Sequence, residues 1–242
     1  MPSRRPAAAL LAALTALTAG ATLGACGGGA GGAATTVTMV TTVTVGEPRA
    51  PAGAERVAAL FDDVPQAGLM LGRLDAPVTL VEYLDMESRA SVAYARDVFP
   101  ALVRRFVRPG RLRVELRLQP GRGDDAVKVA RSVVAASFQD HGWDFAQLVF
   151  ANEGLPHAGD DLEDFLRAIA DAMPELDGVR LGRDAASPDS MLPIKQGETD
   201  LGIFGFRSVP AFRLGPTGGG LRPIGLGALR RAIAGGALPY VG

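Results

Sequence analysis

The sequence predicts an α/β domain whose elements run β-α-β, then a helical block, then β-β-α. Three observations carry this reading. An apolar run at Val78–Leu84 is followed by helically spaced apolar residues and by a strictly alternating stretch at Leu112–Leu118. The apolar period then changes to about 3.6 and stays there from residue 124 to about residue 202. Two short apolar runs, Ala211–Leu214 and Leu221–Ile224, flank Gly218-Gly219-Gly220 before a last helical segment.

Each element follows from local chemistry. Asp75-Ala76-Pro77 bounds Val78–Leu84, whose unbroken apolar character suits a buried strand. Val92, Ala95, Phe99, Leu102, Val103 and Phe106 lie on one helical face, and Pro100 inside that pattern should kink or divide the helix. Leu112, Val114, Leu116 and Leu118 alternate with Arg111, Arg113, Glu115 and Arg117, the pattern of a strand with one buried and one wet face. Beyond Gly121-Arg122-Gly123, one helix is marked by Val127, Ala130, Val134 and Phe138, and a second by Phe145, Leu148 and Val149. Asp160 and Glu163 have the spacing of a capping box and predict the start of a third helix. A shorter helix interrupted by Pro188 and Pro193 is expected near Ser187–Leu201, and Gly225–Ala234 should close the chain as a helix. A β-α-β start implies a parallel pair joined by a right-handed crossover.

The chain has 242 residues and a formal net charge of -1, room for one domain and an extra segment. Such a balance argues against a nucleic-acid binder. Arginine outnumbers lysine 23 to 2, and the arginines are scattered along the sequence, which reads as coding bias. The single cysteine, Cys26, cannot form an internal disulfide, a Cys-x-x-Cys pair or a cysteine zinc cage. His141 and His157 have no third ligand at metal spacing, and no phosphate-binding loop is present, so neither a metal nor a cofactor is expected. Trp143 reads as a packing anchor, and Asp124-Asp125 and Asp160-Asp161 as helix N-terminal charges.

Arg4 and Arg5 precede an uncharged Ala/Leu/Thr stretch from Ala7 to Leu23, the form of a signal peptide over 1–25. Leu23-Gly24-Ala25-Cys26 resembles a bacterial lipobox, with Cys26 as the lipid-attachment residue. This predicts export and a lipid anchor that holds the folded part on the extracytoplasmic side of the membrane. Residues 26–55 read as a low-complexity linker, glycine-rich at 27–32 and Thr/Val-rich at 35–45. A domain over 56–242 follows, with a helical insertion at about 124–202.

The segment Val81–Leu102, VEYLDMESRASVAYARDVFPAL, resembles the active-site strand and helix of the DsbA-like thiol–disulfide oxidoreductases. Leu71–Leu80, His141-Gly142-Trp143-Asp144-Phe145 and Gly205-Phe206-Arg207-Ser208-Val209-Pro210-Ala211-Phe212 extend that likeness over roughly residues 66–235. The resemblance implies a thioredoxin-like fold. It also places the family's Cys-Pro-x-Cys on Ser88-Arg89-Ala90-Ser91, so both sulfurs are replaced by hydroxyls. A serine at a helix start is a good N-cap, and an alcohol lacks the anion that a thiol forms there. Glu82 stands where the family keeps an acid beneath its first cysteine. Two readings of it are open: a half-buried carboxylate raised in pKa by desolvation, or a strand glutamate paired to an arginine. The resemblance further implies a cis Val209–Pro210 bond lying against the helix start, with a free backbone edge for an extended peptide.

The function expected from these residues is a membrane-anchored, DsbA-like lipoprotein without redox cysteines that binds a peptide or an envelope protein and has no catalytic residue. Two alternatives stand beside it. In one, Ser88 steadies the thiolate of a low-molecular-weight thiol substrate. In the other, the protein is structural and its groove vestigial.

Overall fold

The computed structural model describes residues 51–152 and 161–240. The expected signal peptide, Cys26, almost all of the expected linker, His157 and Asp160 lie outside the described residues.

The described chain begins with helix α1 (Ala54–Phe61) and two very short strands, β1 (Gln66–Ala67) and β2 (Met70–Leu71). Strand β3 (Val78–Leu84) leads into helices α2 (Arg89–Asp97) and α3 (Phe99–Leu102), a π turn (Val103–Val107) and strand β4 (Leu112–Leu118). The helical block comprises α4 (Asp124–Ser137), α5 (Gly142–Ala151), α6 (Leu162–Asp171), α7 (Gly178–Ala186), a 3₁₀ turn (Pro188–Met191) and α8 (Leu192–Ile203). Strands β5 (Ala211–Pro216) and β6 (Arg222–Pro223) and helix α9 (Leu226–Gly235) complete it. The six strands form one sheet in the order β1-β2-β4-β3-β5-β6. Only β3 and β4 run parallel; the other neighbours are antiparallel.

Strand β3 is buried along its whole length because both faces of the sheet are covered. Its period of two divides its side chains. Val78, Leu80 and Leu84 enter the main core, whereas Val81 and Tyr83 enter a second cluster with Ala211, Phe204, Phe206 and Leu201. On the main-core side, Trp143 stacks on Phe99 at 5.1 Å and 6° and donates its indole N–H to the Leu69 carbonyl at 3.1 Å. Its role is packing, and such an aromatic pair adds ~0.5–1.5 kcal/mol beyond burial. On the other face, α8 crosses β4 so closely that a Cβ at Gly197 would stand 2.8 Å from the Leu118 carbonyl oxygen. Glycine is what lets that helix approach.

Several boundaries differ from the expectations. The helical run near Pro100 divides at Val98, whose own N–H still bonds to Tyr94 O at 2.9 Å. Helix α1 begins at Ala54, so the last two residues of the 26–55 segment are folded, and Ala52 is tied to Asn152 by reciprocal hydrogen bonds of 2.9 and 3.1 Å. The cap of α6 is Asp161 rather than Asp160: its carboxylate accepts from Glu163 N at 2.8 Å and Asp164 N at 3.3 Å. The segment at 187–201 is a 3₁₀ turn followed by α8, because each proline occupies a helix start, where its missing N–H costs nothing. Strand β6 shrinks to two residues. Sequence reading missed α1, α7 and the β1–β2 hairpin. Two-residue strands have no alternation to read, and α7 buries only Leu181.

Candidate functional site

The candidate site forms where β3 ends. The chain leaves Leu84 through Asp85-Met86-Glu87 and enters α2 at Ser88. A short network fixes that turn: Ser88 N donates to Asp85 O at 3.2 Å, and Glu87 N to Asp85 Oδ1 at 2.9 Å. Ser88 is the N-cap of α2, and its Oγ accepts from Ser91 N at 3.3 Å. Ser91 is fully buried, and its Oγ accepts from Asp85 N at 3.3 Å. Both hydroxyls therefore serve as acceptors for backbone N–H groups that the turn would otherwise leave unpaired. Arg89 and Ala90, between them, are exposed.

These bonds have a measurable consequence. Ser88→Ala is expected to lower stability by ~1 kcal/mol through loss of the cap. Ser91→Ala leaves the Asp85 N–H without its partner in a buried setting and should cost ~1–3 kcal/mol. Urea unfolding of the two variants checks the order; a larger loss at Ser88 than at Ser91 would contradict it.

Glu82 follows the first sequence reading in its desolvation-raised pKa but departs from both in its surroundings. It is fully buried rather than half-buried, and its partner is a tyrosine, not an arginine: Tyr94 donates its hydroxyl to Glu82 Oε1. The second oxygen, Oε2, has no hydrogen-bond partner. Register explains the burial. Glu82 sits in the middle of the sheet between Leu116 of β4 and Phe212 of β5, on the same face as Leu80 and Leu84. Desolvation pushes its pKa up to about 8, against a smaller lowering from the Tyr94 hydroxyl. The Tyr94 hydroxyl is itself pushed well up, first by burial and then by the neighbouring Glu82. Tyr94 lies one turn along α2 from Ser91, and its ring packs on Phe212 at 4.7 Å, so Glu82, Tyr94 and Ser91 are all buried beneath the helix start.

The surroundings of the hydroxyls are acidic. Burial raises the Asp85 carboxyl, against hydrogen bonds from the backbone of Glu87 and Gly121. Burial also raises Glu87, helped by the charges of Asp85 and Asp125. Asp124 and Asp125 occupy the first turn of α4, as expected. His141 is engaged elsewhere: its Nδ1 lies 3.5 Å from Asp144 Oδ2, and Asp144 also accepts from Gln66 Nε2 at 2.6 Å. The described side-chain contact of that histidine is with Asp144, not with Ser88.

Val209 and Pro210 approach from β5. The Val209–Pro210 bond is cis, and Ala211 pairs with Tyr83, one residue before the end of β3. The antiparallel register thus puts the Pro210 loop and the Ser88 turn at the same end of the central strands. Val209 packs against the Val81–Tyr83–Ala211 cluster. Phe206 N returns to Leu201 O at 3.1 Å, whereas the backbone groups of Arg207, Ser208 and Val209 enter no loop hydrogen bond among the described residues. Sequence reading missed the contributions of Tyr94 and Phe206. The buried face of α2 pointed to the tyrosine, but nothing local pointed to the 5.4 Å packing of Phe206 on Tyr83.

No protein-family model and no curated protein matches the chain. Solved structures do. A thioredoxin-like oxidoreductase from Silicibacter pomeroyi DSS-3 is 24% identical, with 73% of this chain and 95% of that one covered at a TM-score of 0.53. Oxidised BdbD from Bacillus subtilis is 16% identical, with coverage of 72% and 98% and a TM-score of 0.58. DsbA2 from Pseudomonas aeruginosa is 24% identical, with coverage of 68% and 88% and a TM-score of 0.51. The fold is therefore thioredoxin-like, of the DsbA type, in a chain whose one cysteine is Cys26 and which has Ser88 and Ser91 at the start of α2.

Proposed function

We propose that this chain, a DsbA-type thioredoxin fold without a redox pair, is a non-catalytic binding module of the cell envelope. It is exported, held on the extracytoplasmic side by a lipid on Cys26, and takes an extended segment of a peptide or envelope protein beside the Ser88 turn. The lipobox-like Leu23-Gly24-Ala25-Cys26 supports the lipid anchor, and among the described residues no helix is long and apolar enough to cross a membrane.

One observation carries the reading. At the helix start both hydroxyls are committed to backbone N–H groups, while the Arg207–Val209 backbone enters no loop hydrogen bond among the described residues. Exposed Arg207 and Ser208 leave that edge open to an added strand, the mode in which main-chain bonds supply affinity. The low-molecular-weight-thiol reading has less support, because the acidic residues Asp85 and Glu87 belong to the turn that leads into Ser88.

Site-specific photocrosslinking tests the proposal. A photoreactive residue replaces Ser208 in the full chain, and the probe is a reduced, S-alkylated unfolded protein. The same residue at exposed Val179 on α7 is the control. The expected result is several-fold more crosslinked probe from position 208; equal yields from the two positions would reject the binding edge.

A further inference from the structure

Arginines that are scattered in the sequence converge in space. A cavity of about 830 Å³ between α1, α5 and the α2–α3 run is lined by Arg56, Arg96, Arg104 and Arg108, with Asp97 as the lining carboxylate. That local excess of positive charge stands out in a chain whose formal charge is -1. It corrects the expectation that these residues record coding bias alone.

Three of the four arise from a single run. Arg96, Pro100, Arg104 and Arg108 follow one another in steps of four. Four-residue steps drift around an α-helix, which turns once per 3.6 residues. The wider π turn at Val103–Val107 counters that drift. Arg108 then ties the run to α1 by donating Nη2 to the carbonyls of Ala59 at 2.9 Å and Leu60 at 3.1 Å. Arg56, on α1, faces the same space. Among the described residues, neither Arg56 nor Arg104 forms an ion pair with a carboxylate. The floor is apolar, made by Val57, Leu60 and Pro100.

We propose that this cavity binds an amphiphilic phosphate. The phosphate group is held by Arg56 and Arg104, with Arg96 and Arg108 at its edge, and its apolar substituent lies on Val57, Leu60 and Pro100. Planar guanidinium forks match phosphate oxygens two at a time. A multiply charged anion answers an excess of arginine better than a single carboxylate does. The headgroup of an anionic lipid and a free organic phosphate share this chemistry. The site is independent of the peptide edge near Ser88.

Calorimetry on the full chain separates the outcomes with three probes: dihexanoyl phosphatidic acid, dihexanoyl phosphatidylcholine and inorganic phosphate. The phosphatidic acid is expected to bind and the phosphatidylcholine not to. Arg56→Gln and Arg104→Gln should each weaken binding by about tenfold, as expected for loss of charge-assisted bonds, while Arg222→Gln on β6 leaves it unchanged. All three arginines are exposed, so thermal unfolding of the variants should match the parent. Inorganic phosphate binding as tightly as the lipid would assign the site to free phosphate and overturn its amphiphilic character. No binding of any probe at millimolar concentration, or binding indifferent to both Arg56→Gln and Arg104→Gln, would overturn the proposal.

Discussion

Ser88→Cys combined with Ser91→Cys is expected to create a disulfide reductase from a protein that has a single cysteine. The test is made in a Cys26→Ser background, so that the two introduced thiols are the only sulfur nucleophiles. The positions already have the asymmetry that dithiol exchange needs. Position 88 is half-buried at a helix N-terminus, where orphan N–H groups favour an anion, and position 91 is fully buried one turn along. An attacking thiol at 88 can reach a client, and the thiol at 91 resolves the mixed disulfide. The exposed Arg89 adds a favourable charge, whereas Asp85 and Glu87 oppose it.

Insulin reduction with dithiothreitol as the electron source should then exceed the uncatalysed rate by on the order of tenfold or more, with each single substitution near background. The reduced double variant should be less stable than the parent, since a thiol is a weaker acceptor than a hydroxyl for the N–H groups of Ser91 and Asp85. A double variant that forms its internal disulfide yet reduces no insulin would show that more than sulfur has been lost from this end of the sheet.

Glu82→Gln should raise stability at neutral and mildly basic pH and remove a pH dependence. The sign follows from linkage. The carboxyl has a pKa of about 8 in the folded protein and an ordinary value of 4.5. Between those values the folded state keeps the proton and the unfolded state has lost it. Stability is therefore fully present below 4.5 and falls as pH rises toward 8, by up to ~1.4 kcal/mol per pH unit for one proton. A neutral glutamine escapes that loss and still offers an oxygen to the Tyr94 hydroxyl, which a leucine would leave unpaired. The expected gain at pH 8 is on the order of a few kcal/mol. Urea unfolding from pH 5 to 8.5 measures it. Asp85 and Asp144, also raised by burial, should keep a residual slope at the acid end in both proteins. Equal slopes for parent and variant through pH 6–8 would show that Glu82 is ionised in the folded state.

The buried pair explains why this residue was only half legible. Its place in an apolar run indicated a strand, and the resemblance to the DsbA-like family implied a position beneath the helix start. The depth of burial comes from β4 and β5 flanking β3, and the partner from the inward face of α2. Neither is a neighbour in sequence. Ser88 was the opposite case, because an N-cap is a local interaction over three residues and could be read directly.

The amino-acid order alone determined the strands with seven residues of clear pattern, the helices with a sustained apolar period, the division near Pro100 and the absence of a dithiol. These depend on contacts within a few residues or on simple inventory. The tertiary structure decided what depends on distant segments meeting. It made the α1 helix worth folding, buried Glu82 against Tyr94, and brought the Pro210 loop to the Ser88 end of the sheet. It also brought Arg56 to the same cavity as Arg96, Arg104 and Arg108, which lie 40 or more residues further along the chain. Local periodicity encodes which face of an element turns inward, but only packing between elements selects what that face meets.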